Sequence, residues 1–386
     1  MENSYKLSDT DLCPWIKQEC LKKKIIFATS NQQAIIPQII NGKDSIIFSR
    51  TGTGKTLSYI LPLVHIHFLT HINCSLNIIV PTIELGLQIY QTYNSIGKSK
   101  NITAYLSNKN KKSIFSNNKS EICKISTLEF SVLNLKTFNN FTKFKRVILV
   151  FDEADLLIKT ENFNTVRTII LNLRPTQINL FGVTETDVFK YIQKFLYQKK
   201  IFLFQEKLKK FQFFSDVKHE YIYCSPHLRS EFLVLLIRYK EKEKVWNKKN
   251  CSILIFLKGD KEANNLVRTL RKNKIIACNF HSRMDIRKKT ISVQLIKKGI
   301  VDVIISTDSG SRGMNFPFIN LIINADIPEQ IETYLSRVGR IGRYAKKGSC
   351  LNLIDKNNAR QIYLIGKNLG IRFDKLELYQ KKKKCD

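Results

Sequence analysis

The stretch Ser49-Arg50-Thr51-Gly52-Thr53-Gly54-Lys55-Thr56 constrains this chain more than any other. An apolar run, Ser45-Ile46-Ile47-Phe48, precedes it, and a helix-like segment beginning at Leu57 follows. Strand, glycine-rich loop and helix in that order make a phosphate cradle. The glycines let backbone N–H groups turn inward, and the helix N-terminus favours an anion. In that pattern Lys55 reaches the β- and γ-phosphates and the Thr56 hydroxyl ligates Mg²⁺. The strict pattern wants a glycine where Ser49 stands.

The charge balance points to the partner. The 386 residues carry 64 Lys and Arg against 32 Asp and Glu, a net charge of +32. A polyanion is the expected ligand, nucleic acid ahead of a membrane surface. Lys, Asn and Ile are abundant throughout, as an AT-rich genome would produce, and this bias contributes to the charge. The nine cysteines are scattered with no C-x-x-C pair, which argues against both a zinc site and a disulfide framework. No apolar run approaches the ~20 residues of a membrane span, and the start lacks the basic and apolar regions of a signal peptide. An intracellular, reducing compartment is expected.

Length alone predicts about two domains. Short apolar runs alternate with amphipathic segments along the chain. Strands are predicted at Ser45–Phe48, Leu76–Val80, Ile102–Leu106, Arg146–Phe151 and Ile178–Val183. The pattern breaks in the Lys- and Phe-rich stretch 199–216, read as an edge strand followed by a linker. It resumes with strands at Ser252–Leu257, Ile275–Phe280, Asp302–Thr307, Leu321–Asn324 and Ser349–Ile354. This is the signature of α/β architecture, in two domains of similar size whose mostly parallel sheets carry helices on both faces. The boundaries expected are 1–205, a linker at 206–216, and 217–386.

The second constellation is Asp152-Glu153-Ala154-Asp155, directly after the apolar run Arg146–Phe151. A buried parallel strand delivers its following residues to the carboxyl edge of the sheet, where ligands of open α/β sheets bind. Asp152 would hold Mg²⁺ there, and Glu153 would position and deprotonate an attacking water. Thr-Gly-Thr-Gly-Lys-Thr followed by Asp-Glu-Ala-Asp resembles the DEAD-box family of ATP-dependent RNA helicases, and the family pattern covers about residues 5–355 in order. That family tolerates a small residue other than glycine at the position of Ser49.

The resemblance implies two tandem RecA-like domains, ATP and Mg²⁺ as cofactors, and further roles at positions that match. Thr29-Ser30-Asn31-Gln32 is similar to the adenine-reading motif, so Gln32 is expected to select ATP. With Thr51, Gly52, Thr53, Gly54, Lys55 and Thr56 it forms the implied ATP site. Pro81 and Thr82 match the first RNA-contacting motif; Ile83 replaces its arginine. Thr127 and Thr184 are what survive of two further motifs. Thr307 with Arg312 and Gly313 resembles an RNA-touching motif, and Asn315 stands where an aspartate reaches the ribose. Tyr334 through Arg343 carries Arg337, Arg340 and Arg343 at three-residue spacing; Arg340 and Arg343 are the implied arginine fingers on the γ-phosphate. Asp155, Thr184 and Arg337 are the implied links between nucleotide state and domain closure.

The departures fall on RNA contacts and on domain coupling. Gly182 lacks the hydroxyl of its motif, and Ser336 replaces a histidine. The reading is therefore an RNA-stimulated ATPase that separates short duplexes, with the coupling to strand separation altered. Its competitors are an ATP-gated RNA clamp or assembly factor with weak unwinding, and a phosphate-loop kinase, which the late arginine motif disfavours. RNA is expected to be gripped by its backbone with little base specificity. Residues 50–56, 155–157 and 312–316 look closest to the ribosome-assembly branch, while 343–348 lean towards translation-initiation and mRNA-export relatives; the ribosome-assembly likeness implies protein partners in a ribonucleoprotein and a nuclear or nucleolar site. A monomer without membrane attachment is expected.

Overall fold

The computed structural model describes residues 5–49, 53–70, 73–106, 122–133, 144–158, 160–183, 201–205, 217–242, 252–281, 283–311, 316, 319–341 and 348–377. The chain divides into two compact units, Met1–Glu206 and Lys207–Asp386. The stretch 206–216, expected as a linker, lies outside the described residues.

The first unit is one sheet of strands β1 (Ser45–Phe48), β2 (Cys74–Val80), β3 (Ala104–Leu106), β4 (Cys123–Thr127), β5 (Arg146–Asp152), β6 (Gln177–Gly182) and β7 (Phe202–Gln205). Their order is β3-β4-β2-β5-β6-β1-β7, and every pairing is parallel. Side chains alternate between two cores, as the period of a strand requires. Ile47, Ile78, Val80, Ile148 and Val150 pack on one face beneath the helices Ser30–Ile40, Lys55–Thr70 and Ile83–Gly97. Ile46, Phe48, Ile79, Leu149 and Phe151 pack on the other, beneath the helix Phe163–Leu173. Burial on both faces explains why these strands read as unbroken apolar runs.

The second unit repeats the plan with β8 (Val217–Tyr223), β9 (Ser252–Phe256), β10 (Ala277–Phe280), β11 (Val303–Ser306), β12 (Ile319–Asn324), β13 (Gly348–Ile354) and β14 (Asp374–Lys375). The order is β10-β11-β9-β12-β13-β8-β14, again all parallel. Ile253, Ile255, Val303 and Ile305 face one core, and Leu254, Phe256 and Ile304 the other.

Ten predicted strands are present, with ends moved by one or two residues, and the expected edge strand is β7. The sequence reading missed β4, β8 and β14. Lys124 interrupts β4, and β8 carries Lys218, His219 and Glu220, so neither forms an apolar run. In β8 the charges are accommodated locally: Lys218 Nζ lies 2.6 Å from Glu220 Oε1, two residues on and on the same face. No described helix is long and apolar enough to cross a membrane.

Candidate nucleotide-binding site

The site of the first unit is assembled at the carboxyl edge of its sheet. The end of β1 sits beside the end of β6, with Phe48 opposite Gly182, and β5 follows β6, with Asp152 opposite Phe181. The Ser49 loop and the Asp152 turn are therefore brought to one edge by strand order alone. Ser49 N–H donates to Gly182 O at 3.1 Å, which ties the start of the loop to the neighbouring strand.

The loop ends at Gly54, whose φ of +86° is left-handed. The conformation favours glycine, and a Cβ there would come within 2.6 Å of Gln32 Nε2 and push that amide aside. Lys55 opens the helix Lys55–Thr70 and is 9% exposed. Its ammonium donates to Ser49 O at 2.7 Å and to Gly182 O at 3.3 Å, so the charge lies across the ends of β1 and β6. Thr56 follows in the first helical turn.

Asp152 is the last residue of β5 and is 3% exposed. Tyr59 donates to its Oδ2 at 2.7 Å, and the backbone N–H of Glu153 donates to its Oδ1 at 2.9 Å. Burial pushes the Asp152 carboxyl above its usual range, against the Tyr59 bond, the Lys55 charge and the Glu153 N–H, which favour the anion. Glu153 turns the chain with φ 51° and ψ 48°, a left-handed conformation that costs a non-glycine residue roughly 1 kcal/mol or more. The helix Ala154–Leu157, which contains Asp155, starts from that turn.

Tyr59 lies four residues after Lys55, on the same helix face. Burial pushes its hydroxyl far above the ordinary phenol range, and the charge of Asp152 adds to this. Thr56, three residues before Tyr59, is its neighbour on that helix, and Tyr59 bonds Asp152. One buried, hydrogen-bonded carboxylate beside a threonine hydroxyl is an all-oxygen set that suits a hard cation keeping several waters, as Mg²⁺ does.

Gln32 closes the site from the helix Ser30–Ile40. It forms a capping box with Thr29: Gln32 N–H donates to Thr29 Oγ1 at 3.3 Å, and Thr29 N–H to Gln32 Oε1 at 3.0 Å. Gln32 Nε2 donates to Gly54 O at 3.4 Å, so the capping amide also touches the loop. Beside it, Asn31 donates to the hydroxyls of Ser49 and Thr53.

The remaining positions occupy strand ends. Pro81 and Thr82 follow β2, and Thr82 Oγ1 caps the helix Ile83–Gly97 by accepting from Leu85 N–H at 3.3 Å. Thr127 ends β4, the neighbour of β2. In the second unit Thr307 follows β11 and is buried. Arg337, on the helix Ile331–Val338, is committed inside that unit. Its Nε and Nη2 reach the two carboxylate oxygens of Asp308 at 2.6 and 2.8 Å, and its Nη1 donates to Asn324 Oδ1 and Asp326 O. The guanidinium also covers the Phe256 ring at 4.8 Å. Arg340, one turn on, is 4% exposed. Thr51, Gly52, Thr184, Arg312, Gly313, Asn315 and Arg343 lie outside the described residues.

Sequence reading missed Tyr59 and Asn31. The i+4 spacing from Lys55 marks Tyr59. Asn31 is a polar residue on the stripe that continues through the fully buried Ile35 and Ile39.

The DEAD/DEAH box helicase model matches residues 29–189, and the helicase conserved C-terminal domain model matches residues 232–345. ATP-dependent RNA helicase DBP8 of Saccharomyces cerevisiae is 27% identical over 375 residues, covering 92% of this chain and 84% of its own. DEAD-box ATP-dependent RNA helicase CshC of Bacillus cereus is 24% identical over 378 residues, covering 96% and 93%. Among solved structures, S. cerevisiae Dbp5 bound to RNA and ADP BeF3 shares the fold, with a TM-score of 0.79 at 22% identity over 97% of this chain and 96% of that one. Two RecA-like units, the first with a buried lysine and aspartate at one sheet edge, define a nucleotide-driven helicase core. The chain belongs to the DEAD/DEAH box family of ATP-dependent RNA helicases.

Proposed function

We propose that this chain hydrolyses ATP in response to RNA and uses the cycle to separate short duplexes. The observation that carries the reading is the convergence of Lys55 and Asp152 at one carboxyl edge: a cation across the ends of β1 and β6, beside a buried carboxylate with two donors. A desolvated, preorganised site of this kind stabilises phosphoryl transfer by charge.

In this assignment Lys55 binds the β- and γ-phosphates. Thr53 and Gly54, with Thr51 and Gly52, wrap the phosphates through backbone N–H groups. Thr56 and Asp152 would hold Mg²⁺, which supplies charge neutralisation on the phosphates. Glu153 orients the attacking water and takes its proton. Gln32 reads the adenine edge, and Asn315 the ribose. Arg340 and Arg343 are arginine fingers, and such a group is worth ~10³–10⁵ in rate. Pro81, Thr82, Thr127, Thr307, Arg312 and Gly313 contact the RNA backbone. Asp155, Thr184 and Arg337 link nucleotide state to domain closure, Arg337 through the Asp308 carboxylate that it holds.

A polyanionic ligand is supported by the net charge of +32, and RNA in particular by family membership. Binding through phosphates predicts a steep loss of RNA affinity with salt. The likeness of residues 50–56, 155–157 and 312–316 to ribosome-assembly members supports a role in ribosome biogenesis, with protein partners in a ribonucleoprotein and a nucleolar site.

A second reading, an ATP-gated RNA clamp with little unwinding, is favoured by one observation. Gly182 ends β6 with no hydroxyl to offer, and its carbonyl is engaged by Ser49 and Lys55. Displacement of a labelled strand from a short RNA duplex decides between the two. ATP-dependent displacement supports the helicase; RNA-stimulated hydrolysis without displacement supports the clamp.

A further inference from the structure

The amide of Asn31 is buried against the phosphate loop, and two of its features need explaining. Its side chain is fully buried. Both Nδ2 hydrogens are donated: to Ser49 Oγ at 2.9 Å and to Thr53 Oγ1 at 2.6 Å. The two hydroxyls are 3.2 Å apart and bond each other, which closes a triangle of three polar side chains. Asn31 Oδ1, by contrast, is buried with no hydrogen-bond partner. Buried acceptors are rarely left so, because nothing repays their lost hydration.

Packing alone would place a leucine here. Asn31 begins the stripe that continues through Ile35 and Ile39, all three fully buried, and an apolar side chain would fill the site without an orphaned oxygen. The amide is explained by what it holds. Ser49 and Thr53 are the first and fifth residues of the loop that runs into Lys55. Ser49 also stands where the strict phosphate-loop pattern has glycine; a glycine would give Asn31 nothing to hold at that end.

We infer that Asn31 is a positioning residue for the phosphate loop, and that Ser49 is its anchor: the amide holds Ser49 and Thr53 together before nucleotide arrives. The inference rests on the nucleotide-binding reading of this site. Fixing Ser49 and Thr53, two described residues of the loop, lowers the freedom lost when the loop closes on phosphate, and the gain appears as affinity. ATP and ADP both present a β-phosphate to this loop, so both benefit.

The test is equilibrium titration of the full chain with fluorescent ATP and ADP analogues, alongside thermal melting, for Asn31→Leu, Ser49→Gly and the double variant. Each single change is expected to weaken both nucleotides about 5- to 30-fold, the range of one hydrogen bond to one paired set. The double variant is expected to be no weaker than the worse single one, because both break the same triangle. Asn31→Leu is expected to melt at or above the unaltered protein, since the orphaned oxygen is gone. Losses that multiply in the double variant would overturn the inference, as would unchanged affinities, or affinities that fall only in step with melting. If Asn31→Leu does not fold, Ser49→Ala, which deletes the hydroxyl alone, must show the affinity loss by itself. Nucleotide binding by the unaltered protein with unchanged variants sinks this inference alone; no binding by the unaltered protein sinks the site reading as well.

Discussion

Tyr59 and Asp152 share a 2.7 Å hydrogen bond inside the first unit, from the phenolic hydroxyl to Oδ2 of a carboxylate that is 3% exposed. The tyrosine comes from the helix that begins at Lys55, and the aspartate from the end of β5. One bond therefore joins the phosphate-loop helix to the acidic turn. Tyr59→Phe removes only this donor and leaves the ring, which packs 4.9 Å from Phe181. A hydrogen bond to a charged group contributes about 1.5–3 kcal/mol. Steady-state assays should show ATPase kcat lower by roughly ten- to 150-fold at saturating Mg²⁺, a rise of about 1.5–3 kcal/mol in the barrier. An unchanged kcat would mean that Asp152 is oriented by other groups.

Arg337 is bonded within its own unit. Its bonds to Asp308, Asn324 and Asp326 all lie inside the second unit, at 3% exposure. Breaking a fully buried pair by removing one partner costs about 3–5 kcal/mol; Asp308 is 29% exposed and water can take up part of its charge, so the lower end, about 3 kcal/mol, applies. Arg337→Met should therefore lower the melting midpoint by roughly 6–12 °C, at 2–4 °C per kcal/mol. A variant that melts normally while losing activity would place Arg337 at the chemistry instead.

His219 makes stability depend on pH. It lies on β8 with Nδ1 2.7 Å from the Tyr334 hydroxyl, and burial pushes its pKa down from 6.5 to about 4. The unfolded chain then binds more protons than the folded one between those values. The stability is present above pH 6.5, is lost as pH falls from 6.5 towards 4, and changes no further below that. The loss attributable to His219 is about 3 kcal/mol at most, from 1.36 kcal/mol per pH unit. Chemical denaturation of the second unit at several pH values should show this slope, and His219→Gln should flatten it. An unflattened slope would assign the pH dependence to other groups.

Coupling is open to direct manipulation at Gly182 and Ser336. Gly182 ends β6 and receives Ser49 N–H and Lys55 Nζ on its carbonyl, so its backbone is already part of the loop. Ser336 sits on the helix that carries Arg337. Gly182→Ser combined with Ser336→His restores the family side chains, and strands separated per ATP hydrolysed should rise. An unchanged ratio would show that these two positions do not limit coupling.

The parts of the structure legible from sequence were those written in long apolar runs or in local pattern. β1, β2, β5, β6, β9, β11 and β12 are buried on both faces, so Ile, Val, Leu and Phe mark them without ambiguity. The loop into Lys55 and the turn at Asp152 were legible because their chemistry follows directly from a strand. β4 and β8 were not, because Lys124, Lys218 and Glu220 break the run and the pairing that makes them strands is non-local. Asn31 was hidden for a related reason: its partners Ser49 and Thr53 are 18 and 22 residues away, and only the fold brings them together. Tyr59 was the avoidable omission, since the i+4 relation to Lys55 is local.

The most direct test is ATP turnover with and without single-stranded RNA, for the unaltered chain and for Glu153→Gln, which removes the carboxylate proposed as the base but keeps the side-chain size. The account predicts at least a tenfold rise in turnover on adding RNA, weakening as salt is raised, and loss of that turnover in Glu153→Gln. Turnover that ignores RNA, or that survives in Glu153→Gln, would contradict it.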